Sequence, residues 1–182
     1  MEYKPKNVLL KDGTPCILRS PGPGDAAAIL IAMQITSAET DYMARYPDEI
    51  HSSVHQEQHF LFSTLHSRKD LMVCADMGGR IVANAGINPV GDRERYAHRA
   101  SFGISIFRDY WGLGIGSHLL GAIISGAREM GYEQLELEVV CENRRGLALY
   151  QKFGFEIYGT REHCFKYRDG SYAAVHLMML RI

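Results

Sequence analysis

Between Tyr110 and Ser117 the chain reads Tyr-Trp-Gly-Leu-Gly-Ile-Gly-Ser, the tightest group among the seven glycines from Gly103 to Gly131. Glycine lets a backbone turn sharply and approach a ligand with no Cβ in the way. The segment falls at the mouth of a helix, where unpaired N–H groups and the positive end of the dipole face an anion such as a pyrophosphate. A Walker loop would close on Gly-Lys-Ser/Thr, and no such triplet follows. A dinucleotide fingerprint, G-x-G-x-x-G, fails at its last position: counted from Gly112 it ends on Ser117, and from Gly114 on Leu119. Glu136 does lie at a suitable distance for a ribose contact, but the motif comes late in the chain, after a hairpin. Close helix–strand packing is the other use of bare glycine, and the glycines alone leave it open.

The elements that would position this loop follow from periodicity. Val8–Leu10 and Cys16–Leu18 read as strands around an Asp12-Gly13 turn. Asp25 is placed to cap a helix through Ala26–Met33, residues 38–50 read as irregular, and 52–67 as a second helix. Leu71–Ala75 and Ile81–Ile87 form a hairpin about Met77-Gly78-Gly79, and Ala100–Phe107 is a further strand. Ile115, Leu119, Ile123, Ala127 and Met130 recur at helical spacing, stopped by Gly131. Leu135, Leu137 and Val139 alternate as a strand; Asn143 caps a short helix through Phe153, closed by Gly154. Strands at Glu156–Tyr167 and Tyr172–Leu180 flank the turn Arg168-Asp169-Gly170-Ser171. The sum is an α+β (mixed α/β) fold with no repeat and no linker.

Gly114-Ile115-Gly116 at a helix start, Leu137-Glu138-Val139 on a strand, then Asn143, Ala148-Leu149-Tyr150 and Phe153-Gly154-Phe155 are similar to the central pattern of the GNAT superfamily of N-acetyltransferases. That pattern opens on Gln or Arg, where this chain has Trp111; a Tyr-Trp-Gly lead-in occurs among relatives. The resemblance runs from Arg19 onward, with its specific motifs inside residues 103–155. It implies a GNAT fold over residues 1–182, with a mostly antiparallel central sheet whose middle strands splay and are flanked by helices. It further implies acetyl-CoA as cosubstrate and direct transfer to a primary amine in a ternary complex.

The same resemblance distributes roles. The pantetheine arm would add to the edge of Ser101–Phe107 through the backbone of Ile106 and Phe107. A backbone N–H near Phe107 would polarise the thioester carbonyl. The amides of Leu113, Gly114, Ile115, Gly116, Ser117 and His118 would hold the pyrophosphate, and Asn143 would touch the pantetheine or the arriving helix. Tyr150 matches the tyrosine that protonates the leaving thiolate. Glu138 matches the glutamate that acts as base in the branch acetylating ribosomal protein amino termini. Each has a structural alternative: Tyr150 as a core aromatic beside Leu147, Glu138 as a solvated strand-face carboxylate like Glu136, with water carrying the proton. Ser101 and Ala174 stand where many relatives have acids. These departures motivate a second function, a CoA-binding sensor or interaction module without transfer chemistry.

Composition narrows the field. Lysine plus arginine is 20 and aspartate plus glutamate 21 in 182 residues, a net charge of −1 and no basic excess for gripping nucleic acid. The four cysteines form no C-x-x-C pair, so no zinc or redox motif is signalled. The apolar run Ala26–Met33 is far short of the ~20 residues of a membrane span, and the amino terminus lacks a secretory pattern, so a cytoplasmic location is expected. His51, His55 and His59 recur every fourth residue but read as a solvated helix face and not as metal ligands. Arg144 and Arg145 suit a phosphate or the plain surface. Asp41, Asp48, Glu49 and Glu57 would favour a cationic acceptor. A homodimer is expected from the resemblance alone.

Overall fold

The computed structural model describes residues 1–182. Its strands are β1 (Lys6–Leu9), β2 (Pro15–Arg19), β3 (Leu71–Met77), β4 (Arg80–Pro89), β5 (Arg99–Ile106), β6 (Gln134–Val140), β7 (Glu156–Lys166) and β8 (Tyr172–Arg181). Its helices are α1 (Ala26–Glu39), α2 (Val54–His66), α3 (Ile115–Glu129) and α4 (Arg144–Lys152). All eight strands join one sheet in the order β1-β2-β3-β4-β5-β6-β8-β7. Every pairing is antiparallel except β5 with β6. Those two are parallel because α3 crosses over between them, as a parallel pair requires.

The centre of the sheet is covered on both sides. In β3, Val73, Cys74 and Ala75 are fully buried. Cys74 packs with Ala26, Ile29, Leu61 and Ile81 under α1 and α2. Leu71, Val73 and Ala75 join the larger core with Leu119, Leu120 and Ile123 of α3 on the opposite face. That placement follows from the stripe of apolar residues along α3. Both layers therefore hold the β3–β5 part of the sheet, up to the β5–β6 seam.

The helix starts differ in mechanism. Ser53 caps α2 through a reciprocal pair: its hydroxyl accepts from Gln56 N–H at 3.2 Å, and Gln56 Oε1 accepts from Ser53 N–H at 2.8 Å. Asp25 occupies the cap position of α1 but its carboxylate makes no cap bond. It accepts from Gly22 N–H and from both terminal nitrogens of Arg19, whose guanidinium also reaches Asp76 on β3. The side chain thus ties the entry of α1 to the sheet. Arg19 holds the Asp25 carboxyl below its ordinary range. The contribution is therefore present above about pH 4 and lost as pH falls through the lowered folded value. Asp25→Asn is expected to cost about 1–2 kcal/mol at neutral pH, with the deficit shrinking in acid, as read by urea unfolding at pH 7 and pH 3.

Candidate active site

The parallel ladder of β5 and β6 has only three rungs, Arg99–Gln134, Ala100–Leu135 and Ser101–Glu136. Beyond them β5 stays with β4 as far as Ile106, and β6 stays with β8 as far as Val140. The two strands therefore part, and a groove of about 820 Å³ opens between Phe102–Ile106 and Leu137–Val140. Which β5 groups face it follows from the ladder. Phe107 N–H donates to Val82 C=O at 3.0 Å and Val90 N–H to Arg99 C=O at 3.2 Å. Antiparallel bonding alternates, so odd-numbered residues of β5 bond to β4 while Phe102, Ile104 and Ile106 aim theirs at β6. Ile106 C=O accepts from Trp111 Nε1 at 2.8 Å, which leaves the Ile106 N–H and both Ile104 groups at an open edge. Phe107 is not among the donors of the groove: its amide is committed to Val82, its carbonyl to Tyr110 N–H, and its ring is buried.

The glycine loop follows the Ile106 end of this edge, beyond the point where the strands part. Gly114 caps α3 with φ +95°, a left-handed conformation that suits glycine. The amides of residues 112–116 donate to no acceptor within the protein, so five consecutive N–H groups converge on the start of α3. Ser117 and His118 depart from expectation: both amides donate to Gly114 C=O, at 3.0 and 3.2 Å, closing the first helical turn. Gly116 has a packing role as well, since a Cβ there would lie 2.9 Å from Leu149 Cδ2 and 3.3 Å from Ile106 Cδ1. The anion reading and the packing reading thus both apply within one motif, and at Gly116 they coincide. Residues with no Cβ and free donors fit a pyrophosphate.

Trp111 organises the loop. Besides its bond to Ile106, its ring carries the Arg145 guanidinium at 4.8 Å and that of Arg108 at 5.7 Å. Lys11, from the β1–β2 turn, donates its amide to Leu113 C=O and lays its stem on Gly114. Lys11, Arg144 and Arg145 all line the groove near the free amides. Sequence reasoning missed Lys11, because a lysine in a Lys-Asp-Gly turn carries no signal beyond solvation. Trp111→Ala is expected to weaken binding of a pyrophosphate-bearing ligand about tenfold, through loss of one hydrogen bond and of the stacked Arg145, measured by calorimetry with CoA as the probe.

Tyr150 sits midway along the groove, on α4. Its ring packs against Phe102 at 6.0 Å, edge-on, and against Phe155 at 5.9 Å. Burial pushes its hydroxyl up to about 12. That hydroxyl has no hydrogen-bond partner in the protein, yet it is not among the sealed, unsatisfied polar atoms, so it opens on the groove. The residue is both a core aromatic and a groove donor. Glu138 lines the groove from β6; its carboxylate is half-exposed and accepts from Arg161 at 3.0 Å. Asn143 caps α4, its Oδ1 accepting from Gly146 N–H at 2.9 Å, and it also borders the groove.

The end of α1 and the segment after it also line the groove, with Thr36, Tyr42 and Arg45, as does Phe165 of β7. The β7–β8 turn clamps that segment. Arg168 lies 4.0 Å over the Tyr46 ring and pairs with Asp48 at 2.7 Å, while Tyr167 OH donates to Asp41 C=O at 2.9 Å. Asp41, Asp48, Glu49 and Glu57 do not line the groove, so the acidic acceptor side expected from the sequence is not formed. Asp48 is spent on Arg168, Glu49 accepts from Tyr46 N–H, and Glu57 is buried. His51 precedes α2, and only His55 and His59 stack, 4.6 Å apart.

A family model described as the acetyltransferase (GNAT) family matches residues 34–155, which span the clamp segment, the splayed strands, the glycine loop and Tyr150. The chain belongs to the GNAT acetyltransferase family. An L-amino acid N-acetyltransferase of Escherichia coli (strain K12), AaaT, is 32% identical over 111 residues, and the match spans 60% of this chain and 66% of that protein. A GNAT acetyltransferase from Streptococcus pneumoniae superposes with a TM-score of 0.88 at 30% identity, covering 92% of this chain and 99% of that one. The yncA structure of Salmonella typhimurium, solved with its cofactor acetyl-CoA, shares the fold at TM-score 0.81 and 15% identity, covering 91% and 93%. No helix of the chain is long and apolar enough to cross a membrane.

Proposed function

We propose that this GNAT protein transfers the acetyl group of acetyl-CoA to a primary amine by direct attack in a ternary complex. The observation that carries the reading is that one groove holds the unpaired β5 edge, Tyr150 and the free amides of Gly112, Gly114, Ile115 and Gly116. An extended pantetheine has amide groups to exchange with the Ile104 and Ile106 backbone, as an added strand does. The amides of residues 112–116, with Lys11 and Arg145 beside them, match a pyrophosphate in charge and in backbone access. When bound, acetyl-CoA supplies the activated acyl carbon.

The chain's own groups then manage charge and protons. The amine nitrogen bonds to the thioester carbon and the carbon–sulfur bond breaks. A free amide of the same β5 edge donates to the carbonyl oxygen, where negative charge develops. Glu138, directly or through a water, takes the proton the amine must lose, and Tyr150 gives one to the departing sulfur. The products are an amide and the free thiol of CoA, with atoms and protons balanced. Glu138 keeps acceptor capacity despite Arg161, because a carboxylate has about four lone-pair sites.

A thermal-shift screen with CoA and NAD, followed by a thiol-release assay with acetyl-CoA and an amine panel, tests this reading. L-amino acids belong in the panel because the E. coli relative acts on them by name. Stabilisation by CoA and not NAD, with amine-dependent thiol release, is the expected result. Tight CoA binding with no release by any amine would assign a sensor instead.

A further inference from the structure

We infer that Arg45 anchors a carboxylate of the acceptor, so that the amine acetylated here is of the amino-acid type. The inference rests on the acetyl-transfer reading of the groove but comes from a different set of atoms. Arg45 lines the groove from the segment between α1 and α2. Its Nε is sealed from solvent and has no hydrogen-bond partner. The guanidinium enters none of the molecule's six ion pairs. Its two terminal nitrogens also have no partner and are not sealed, and the residue lines the groove.

Arginine is kept charged in proteins, and a desolvated charge without a counter-charge is unfavourable. Burial alone perturbs Arg45, and no carboxylate opposes it. Of the two acids lining the groove, Glu138 is engaged by Arg161, and Glu142 forms no ion pair with Arg45. Two other sealed polar atoms lack partners, Ser37 Oγ and Asn84 Nδ2, but both are neutral and neither residue lines the groove. Arg168, nearby in the clamp, shows the contrast: it is exposed and already holds Asp48. Two free terminal nitrogens match the two oxygens of one carboxylate, held end-on. A phosphate would draw on several cations, and the groove's Lys11 and Arg145 cluster instead around the glycine loop.

The test uses calorimetry on the full chain, with and without saturating CoA. The probes are the N-acetyl derivatives of L-alanine, L-methionine and L-phenylalanine and their α-amides. At least one acid is expected to bind about tenfold or more tighter than its amide. Arg45→Met should erase that gap and Arg45→Lys keep part of it, with the CoA-induced thermal shift unchanged in both. Ligand-free Arg45→Met should melt no lower than the parent, because an unpartnered desolvated charge has been removed. A structural arginine would melt lower. Equal binding of acids and amides, no binding of any acid, or an acid preference that survives Arg45→Met overturns the inference. A parent protein that CoA fails to stabilise would defeat the acetyl-transfer reading separately, since the acid–amide comparison is also made without CoA.

Discussion

Tyr150→Phe is expected to lower kcat by about 10²-fold while leaving the Kd for acetyl-CoA within about twofold, the signature of a proton donor used only as the thiolate leaves. The ring stays, so its packing on Phe102 and Phe155 stays. The lost hydroxyl has no protein partner, so the cost to stability should be under about 1 kcal/mol. An unchanged melting temperature with a collapsed kcat therefore separates a catalytic hydroxyl from a core aromatic. The pH profile adds a second readout. Burial keeps Tyr150 protonated up to about 12, so the parent's rate should show no alkaline decline from this group below pH 10. The sign of the linked stability effect agrees: the neutral form is the buried one. The stabilisation is complete below the unfolded value near 10 and is lost as pH rises toward 12. A kcat unchanged in Tyr150→Phe would remove the residue from the chemistry.

Strands and helices were legible wherever one period governed a segment. The stripe Ile115, Leu119, Ile123 and Ala127 places α3 because its apolar face has to meet the sheet. The first helix was legible only to Met33, although α1 runs on to Glu39. Its last turns carry polar and β-branched residues, which weaken the local signal; Thr36 remains helical by returning its hydroxyl to Ala32 C=O at 2.8 Å. Asp25 shows the limit of a local rule, since an arginine on the neighbouring strand outcompeted the helix amides for its carboxylate.

The site was legible in part for the same reason. Glycines at a helix start announce free amides, but which amides stay free depends on where the first turn closes, and Gly114 C=O takes those of Ser117 and His118. Strand parity decides that Ile106 and not Phe107 faces the groove, and parity depends on the β4 register. Arg45 had no signature at all. An arginine in an irregular stretch reads as surface, and only the clamp of Arg168 and Tyr167 on residues 41–48 encloses it. Two of the acids that suggested a cationic acceptor, Asp48 and Glu49, are consumed in building that wall.

Glu138→Gln carries the second large expectation, a fall in kcat/KM of about 30-fold at neutral pH that closes as pH rises above the acceptor's own pKa. The direction follows from what a base does. Below that pKa the acceptor arrives as an ammonium and something must remove its proton; above it the amine arrives neutral and the carboxylate is idle. Stability should barely move, because the Glu138–Arg161 pair is half-exposed and glutamine keeps a hydrogen-bond acceptor for the guanidinium. Arg161→Ala supplies the control, leaving the carboxylate in the groove while removing its partner. If Glu138 serves as the base, Arg161→Ala retains most of the neutral-pH rate and Glu138→Gln does not. A fall of equal size at every pH would mean that the carboxylate acts by its charge. No fall would assign proton removal to water, with Glu138 left as one arm of a strand-face ion pair like Glu136 with Arg99.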